Sequence, residues 1–139
     1  MKPADFGLDP SRFPSFYPGQ EKMILDMLAS SKRFLLLKAP TGSGKTVINW
    51  CTGKLHGPRF MYLVSTRELQ SQLLRDTKQS GMFDLRGHSN YACAGRNSSD
   101  EFQCEEYRSC QYRDAVRESL SASAVETNYA HWFVPAIND

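Results

Sequence analysis

The sequence predicts an α/β protein built on a parallel sheet, and three observations predict it. Two apolar runs of the kind that form buried parallel strands, Arg33-Phe34-Leu35-Leu36-Leu37-Lys38 and Phe60-Met61-Tyr62-Leu63-Val64, each lead into a stretch of helical spacing. Between the first run and its helix stands Ala39-Pro40-Thr41-Gly42-Ser43-Gly44-Lys45-Thr46, a glycine-rich turn ending in Gly-Lys-Thr. Strand, helix, strand, helix in that order is the alternation of a sheet whose crossovers are helices.

Each element follows in turn. Residues 1–19 are rich in proline and rings, with Phe6, Phe13, Phe16 and Tyr17, and read as an extended arm that packs rings on a neighbouring surface. Gly19 precedes a helix from Gln20 to Leu28 in which Met23, Ile24, Met27 and Leu28 recur at helical spacing. Arg33–Lys38 is the strand entering the glycine-rich turn, and Val47 to Leu55 continues as the helix behind it. His56-Gly57-Pro58 turns the chain into the strand Phe60–Val64. Thr66 is placed to cap a helix over Arg67–Lys78, which carries Leu69, Gln72, Leu73 and Leu74, and Gly81 to stop it. Residues 86–112 break the rhythm. Cys93, Cys104 and Cys110 lie there, with Gly, Asn and Ser between the first two, so the stretch reads as a loop organised by something other than a hydrophobic core, with metal the obvious candidate. The chain resumes with a helix from Arg113 to about Ser123, Ala115, Val116 and Leu120 inward. A short strand, Ala124-Val125-Glu126-Thr127, then leads to Asn128-Tyr129.

Composition frames these elements. The 139 residues fit one domain with a real core, and the apolar and charged fractions are those of a globular protein. A net charge of +2 does not by itself diagnose a polyanion partner, although a local basic groove is compatible with it. Phe34 to Leu37 is far too short to cross a bilayer, no leader is visible, and the expected location is cytoplasmic with no membrane partner. Four cysteines in such a chain argue for reduced thiols or metal ligands and against a disulfide framework.

The chemistry of the glycine-rich turn can be stated from its residues. Gly42 and Gly44 let the backbone turn tightly and approach a ligand with no Cβ in the way, so successive N–H groups point into one concavity at a helix start. Thr41, Gly42, Ser43 and Gly44 thus form a cradle for phosphate oxygens. Lys45 places a positive charge on the β and γ phosphates, and the Thr46 hydroxyl is positioned to ligate the accompanying magnesium. ATP and Mg2+ are the expected ligands.

Tyr17-Pro18-Gly19-Gln20, Ala39 to Thr46, Ser65-Thr66-Arg67-Glu68-Leu69-Gln70, Gly87-His88-Ser89-Asn90-Tyr91-Ala92-Cys93, Cys110-Gln111-Tyr112 and Asn128-Tyr129 together resemble the N-terminal part of a superfamily 2 helicase. More narrowly they are similar to the iron-sulfur helicases of the DinG and XPD type, including phage relatives. The resemblance implies a P-loop NTPase fold, RecA-like, with a three-layer parallel sheet. It implies a division into an arm (1–19), the first part of an ATP-binding motor domain (20–85), a cysteine-containing insert (86–112) and a continuation of the motor (113–139). The implied parent is an ATP-dependent DNA helicase and nucleoside-triphosphate hydrolase, with Lys45 and Thr46 in the catalytic site. Gln20 matches the glutamine that reads the adenine edge, a task suited to a carboxamide offering donor and acceptor. Tyr17 stands where relatives often carry Arg, and its ring is able to stack on the base instead. Thr66 and Arg67 match the segment touching the nucleic-acid backbone, DNA more than RNA, with capping an equal reading for Thr66.

In that family four cysteines hold a [4Fe-4S] cluster. Cys93 matches the first ligand, and Cys104 and Cys110 match the last two. His88 is a candidate fourth ligand, and three cysteines with a histidine also suit zinc, or the site has lapsed. Cys51, on the helix behind the turn, reads as a small buried hydrophobe. An acidic motif that completes the magnesium site, and a second motor domain, are expected from the remainder of a longer protein. The competing readings are a non-catalytic nucleotide-binding or interaction module, and a motor subunit of the type III restriction class.

Overall fold

A computed structural model of the chain describes residues 1–77, 80–92 and 110–132. Its helices are α1 (Gln20–Ala29), α2 (Lys45–His56), α3 (Arg67–Thr77) and α4 (Gln111–Ser121), and its strands β1 (Phe60–Val64), β2 (Phe83–Asp84) and β3 (Ala124–Asn128). The strands form a parallel sheet in the order β1-β3-β2, with Tyr62 beside Glu126 and Asp84 beside Glu126 on the other side. Side chains alternate across it. Ala124, with Phe60 and Tyr62 of β1, packs on a core of Ile24, Val47, Ile48, Trp50 and Cys51 from α1 and α2. Val125, with Phe83, packs on Ala115 and Val116 of α4. Helices on both faces of a parallel sheet are the layered α/β arrangement expected.

The arm is more than an extended strap. It begins with a 3-10 turn at Pro3–Phe6 and buries Phe6 and Leu8 in the first core. A fully buried tryptophan needs an acceptor for its indole N–H, and Trp50 Nε1 donates to the Phe6 carbonyl at 3.0 Å. Arg12 ion-pairs with the buried Asp76 of α3, so the arm joins two helices.

Several expectations are corrected. Arg33–Lys38 belongs to no strand, with Phe34 83% and Leu36 95% exposed, because no neighbouring backbone pairs with it among the described residues. Only Leu37 packs on the core. Leu120 is exposed, not inward. In α4 the inward row is Ala115 and Ser119, four residues apart, which rotates Leu120 off it. In α3 the inward row is Gln70, Leu73 and Thr77, leaving Leu69 exposed, because Gln70 is drawn in by the Asp84 carboxylate at 2.7 Å. Strand β2, too short to show a period, adds to the two strands the sequence marked correctly. Among the described residues no helix is long and apolar enough to cross a membrane.

Candidate nucleotide site

The phosphate loop is built by two glycines in left-handed conformation and one glutamine. Gly42 has φ +81° and Gly44 φ +74°, values a side chain disfavours, and Gly44 hands the chain into α2. A Cβ on Gly44 would lie 2.2 Å from Gln20 Nε2, whereas one on Gly42 would meet nothing within 4 Å. Gln20 is the reason. Buried at the start of α1, it accepts from the Tyr17 amide at 2.9 Å and donates to the Ser43 carbonyl at 2.9 Å, pinning the loop to α1. Sequence reading assigned Gln20 to the adenine edge and did not show this anchoring bond, which spans a chain separation no local pattern encodes. Tyr17 is exposed, its ring beside the loop.

Within the loop, Ser43 Oγ donates to the Pro40 carbonyl at 2.8 Å and closes the turn. Lys45 Nζ folds back on the Ala39 and Pro40 carbonyls, at 3.0 and 2.7 Å. Neutral carbonyls are weaker acceptors than charged phosphate oxygens, so the ammonium is held in place for an exchange of partners. Behind it α2 presents first-turn N–H groups that lack intrahelical acceptors. The loop, Lys45 and Thr46 therefore fit a nucleotide triphosphate with its magnesium: the space beside Gly42 is open, the Lys45 ammonium rests on the loop's own carbonyls, and Thr46 begins α2 next to them.

Thr46 faces a cleft of about 260 Å³ that it shares with Tyr62, Ser65, Leu69, Gln72 and Tyr129, at the ends of β1 and β3. Thr66 and Arg67 are exposed beside it where β1 passes into α3. Thr66 Oγ1 accepts from the Leu69 amide at 3.3 Å, the capping role expected, and the Glu68 carboxyl is held below its ordinary pKa by its own backbone amide first and the Thr66 hydroxyl second. Cys51 is fully buried in the core, as expected, and burial pushes its thiol up to about 12.

Of the predicted metal ligands, Cys93 and Cys104 lie outside the described residues. Cys110 is buried at the N-cap of α4 with a free thiol. The Ala92 amide donates to Gln111 Oε1 at 3.2 Å, so the flanks of the cysteine segment meet. His88 stacks edge-on against Tyr112 at 5.3 Å, and Tyr112 in turn meets Tyr91 and His131, a ring cluster that the sequence did not announce. Among the described residues, no three His, Cys, Asp or Glu side chains are grouped to hold a metal.

A second feature escaped sequence reading. Glu126, in the middle of β3, is fully buried, and neither carboxylate oxygen has a hydrogen-bond partner among the described residues. Burial first, then the charge of Asp84, raises its pKa to about 8, opposed by Arg86. Only the strand's placement at the centre of the sheet makes this visible.

The loop, its helix and the parallel sheet define a nucleotide-binding protein of the P-loop class. Residues 17–127, most of the chain, match the model of the DEAD/DEAH box helicase family, and the chain belongs to that family. Its fold is accordingly the RecA-like P-loop fold of superfamily 2, and the family uses ATP with Mg2+ and acts on nucleic acid. No curated protein and no solved structure matches the chain.

Proposed function

We propose that the chain is the ATP-binding first portion of a DNA helicase of the iron-sulfur DinG/XPD type, in which nucleotide turnover drives movement along a strand. The observation that carries the nucleotide half is the phosphate loop, with Gly42 and Gly44 in left-handed conformation at the head of α2 and Lys45 at its rim. In this reading Thr41 to Thr46 hold the phosphates and magnesium. Gln20, with one N–H and one lone pair left after its two loop bonds, reads the adenine edge. Exposed Thr66 and Arg67 contact the backbone of a DNA strand. Among the described residues β1 has a strand on one side only, and with the exposed Phe34 and Leu36 this supports a further expectation, that hydrolysis needs additional motor elements, an acidic box and a second RecA-like domain. The setting is cytoplasmic.

Titration with a fluorescent ATP analogue tests the nucleotide half: Lys45→Ala should lose binding by roughly tenfold or more, since a charge-assisted contact of about 1.5 to 3 kcal/mol is removed. Unchanged affinity would refute the assignment. The narrower family reading rests on Cys93, Cys104 and Cys110. Anaerobic protein should be brown with broad absorption near roughly 400 nm, and Ser at any of the three positions should bleach it. Stoichiometric zinc would replace the cluster by a structural zinc site, and metal-free folded protein would remove the iron-sulfur reading altogether.

A further inference from the structure

Tyr62 reads in the sequence as one ring in a buried strand, yet the fold places it under the phosphate loop. It is the middle residue of β1, on the face covered by α2 and opposite Glu126 in register. The Thr46 hydroxyl and the Asn49 carboxamide, three residues apart on α2, are the polar side chains that act on its phenol and favour the ionised form against burial. Thr46 and Tyr62 also share the wall of the 260 Å³ cleft. Burial raises the phenol's pKa, so it keeps its proton across neutral pH.

A threonine that ligates a cation does so through an oxygen lone pair and must give its proton to another acceptor. Unless that acceptor is fixed, the hydroxyl rotates and the lone pair has no set direction. Resting on the nucleotide reading above, we infer that Tyr62 is a positioning residue for Thr46: its phenol oxygen accepts the Thr46 proton and turns the Thr46 lone pair toward the phosphate loop. Asn49 is the second polar side chain acting on the phenol and supports the same orientation. Partners one step removed from a metal typically carry about 10- to 100-fold of its affinity, so the effect is measurable.

The test is nucleotide binding by the whole chain, with Mg2+ and again in EDTA. Tyr62→Phe keeps the ring and removes only the oxygen. ATP affinity in Mg2+ should weaken about tenfold, and half-maximal binding should need several-fold more Mg2+, with affinity in EDTA unchanged. In a Thr46→Val background the Tyr62→Phe effect should vanish, because there is no hydroxyl left to orient. Asn49→Ala, at an exposed position that folding tolerates, should give a smaller shift in the same direction and serves if Tyr62→Phe is unstable. Equal losses with and without Mg2+, or an unchanged Mg2+ requirement in both variants, would overturn the inference and leave the nucleotide reading standing. No binding by the unaltered chain in either condition would overturn both.

Discussion

Gly42 and Gly44 look equivalent in the sequence, and the structure separates them. Both adopt left-handed φ, which for alanine costs about 1 kcal/mol, but only at Gly44 does a Cβ collide, at 2.2 Å, with Gln20 Nε2. Gly42→Ala should therefore lower stability by about 1 kcal/mol, and Gly44→Ala by roughly 2 to 3 kcal/mol as the part-buried Gln20–Ser43 bond breaks. Denaturant melts check the difference. In a Gln20→Ala background the excess at Gly44 should disappear, and equal losses at the two glycines in the unaltered background would show that Gln20 does not press on the loop. The phosphate loop itself was legible because its spacing is local: glycine, lysine and threonine act within one turn. The Gln20 anchor was not, since what fixes it is a contact between α1 and the loop.

At the scale of elements, the helices and two of the three strands were legible, and the failure at Arg33–Lys38 explains why the rest was not. Apolar composition marks a segment that is able to lie in a sheet, but a strand exists only when a neighbouring backbone accepts its hydrogen bonds. Phe60–Val64 has β3 beside it; Phe34-Leu35-Leu36 has no partner strand among the described residues. The exposed apolar run and an edge of β1 that has no partner strand among the described residues favour self-association. Replacing Phe34 with Ser and Leu36 with Lys should reduce aggregation in light scattering while changing stability by less than about 0.5 kcal/mol, as for other exposed positions. A loss above about 1 kcal/mol would mean that the run is held in a paired strand of the isolated chain. Leu120 teaches the same lesson on a helix: a one-residue error in phase moves a leucine from core to solvent, and the phase was set by Ala115 and Ser119, small residues that carry little hydrophobic signal.

For the molecule as a whole, the central strand carries a carboxyl that the fold keeps away from water. Glu126 sits between Tyr62 on β1 and Asp84 on β2, with Arg86 an opposing charge acting on it and the neutral carboxamide of Gln70 reaching Asp84 from α3. Its pKa is about 8 in the fold against an ordinary 4.5. The sign of the pH dependence follows. Below about pH 4.5 both folded and unfolded chains hold the proton, and Glu126 contributes nothing to the difference. Between there and about pH 8 the unfolded chain releases a proton that the folded chain retains, so stability falls as pH rises, by at most on the order of 5 kcal/mol, and levels off above. His131 works in the opposite sense. Burial lowers its pKa from 6.5, so protonation of the unfolded chain removes stability as pH drops below that value. The two oppose each other just below pH 6.5, where the pH dependence flattens, so the fall in stability is steepest above about pH 6.5, and that alkaline slope belongs to Glu126. Glu126→Gln keeps the shape and removes the ionisation. Thermal melts across pH 5 to 9 should show the variant nearly unchanged at the acid end and more stable than the parent at pH 8, with its alkaline slope flattened. A parent slope that survives the substitution would place the titrating group elsewhere in the sheet.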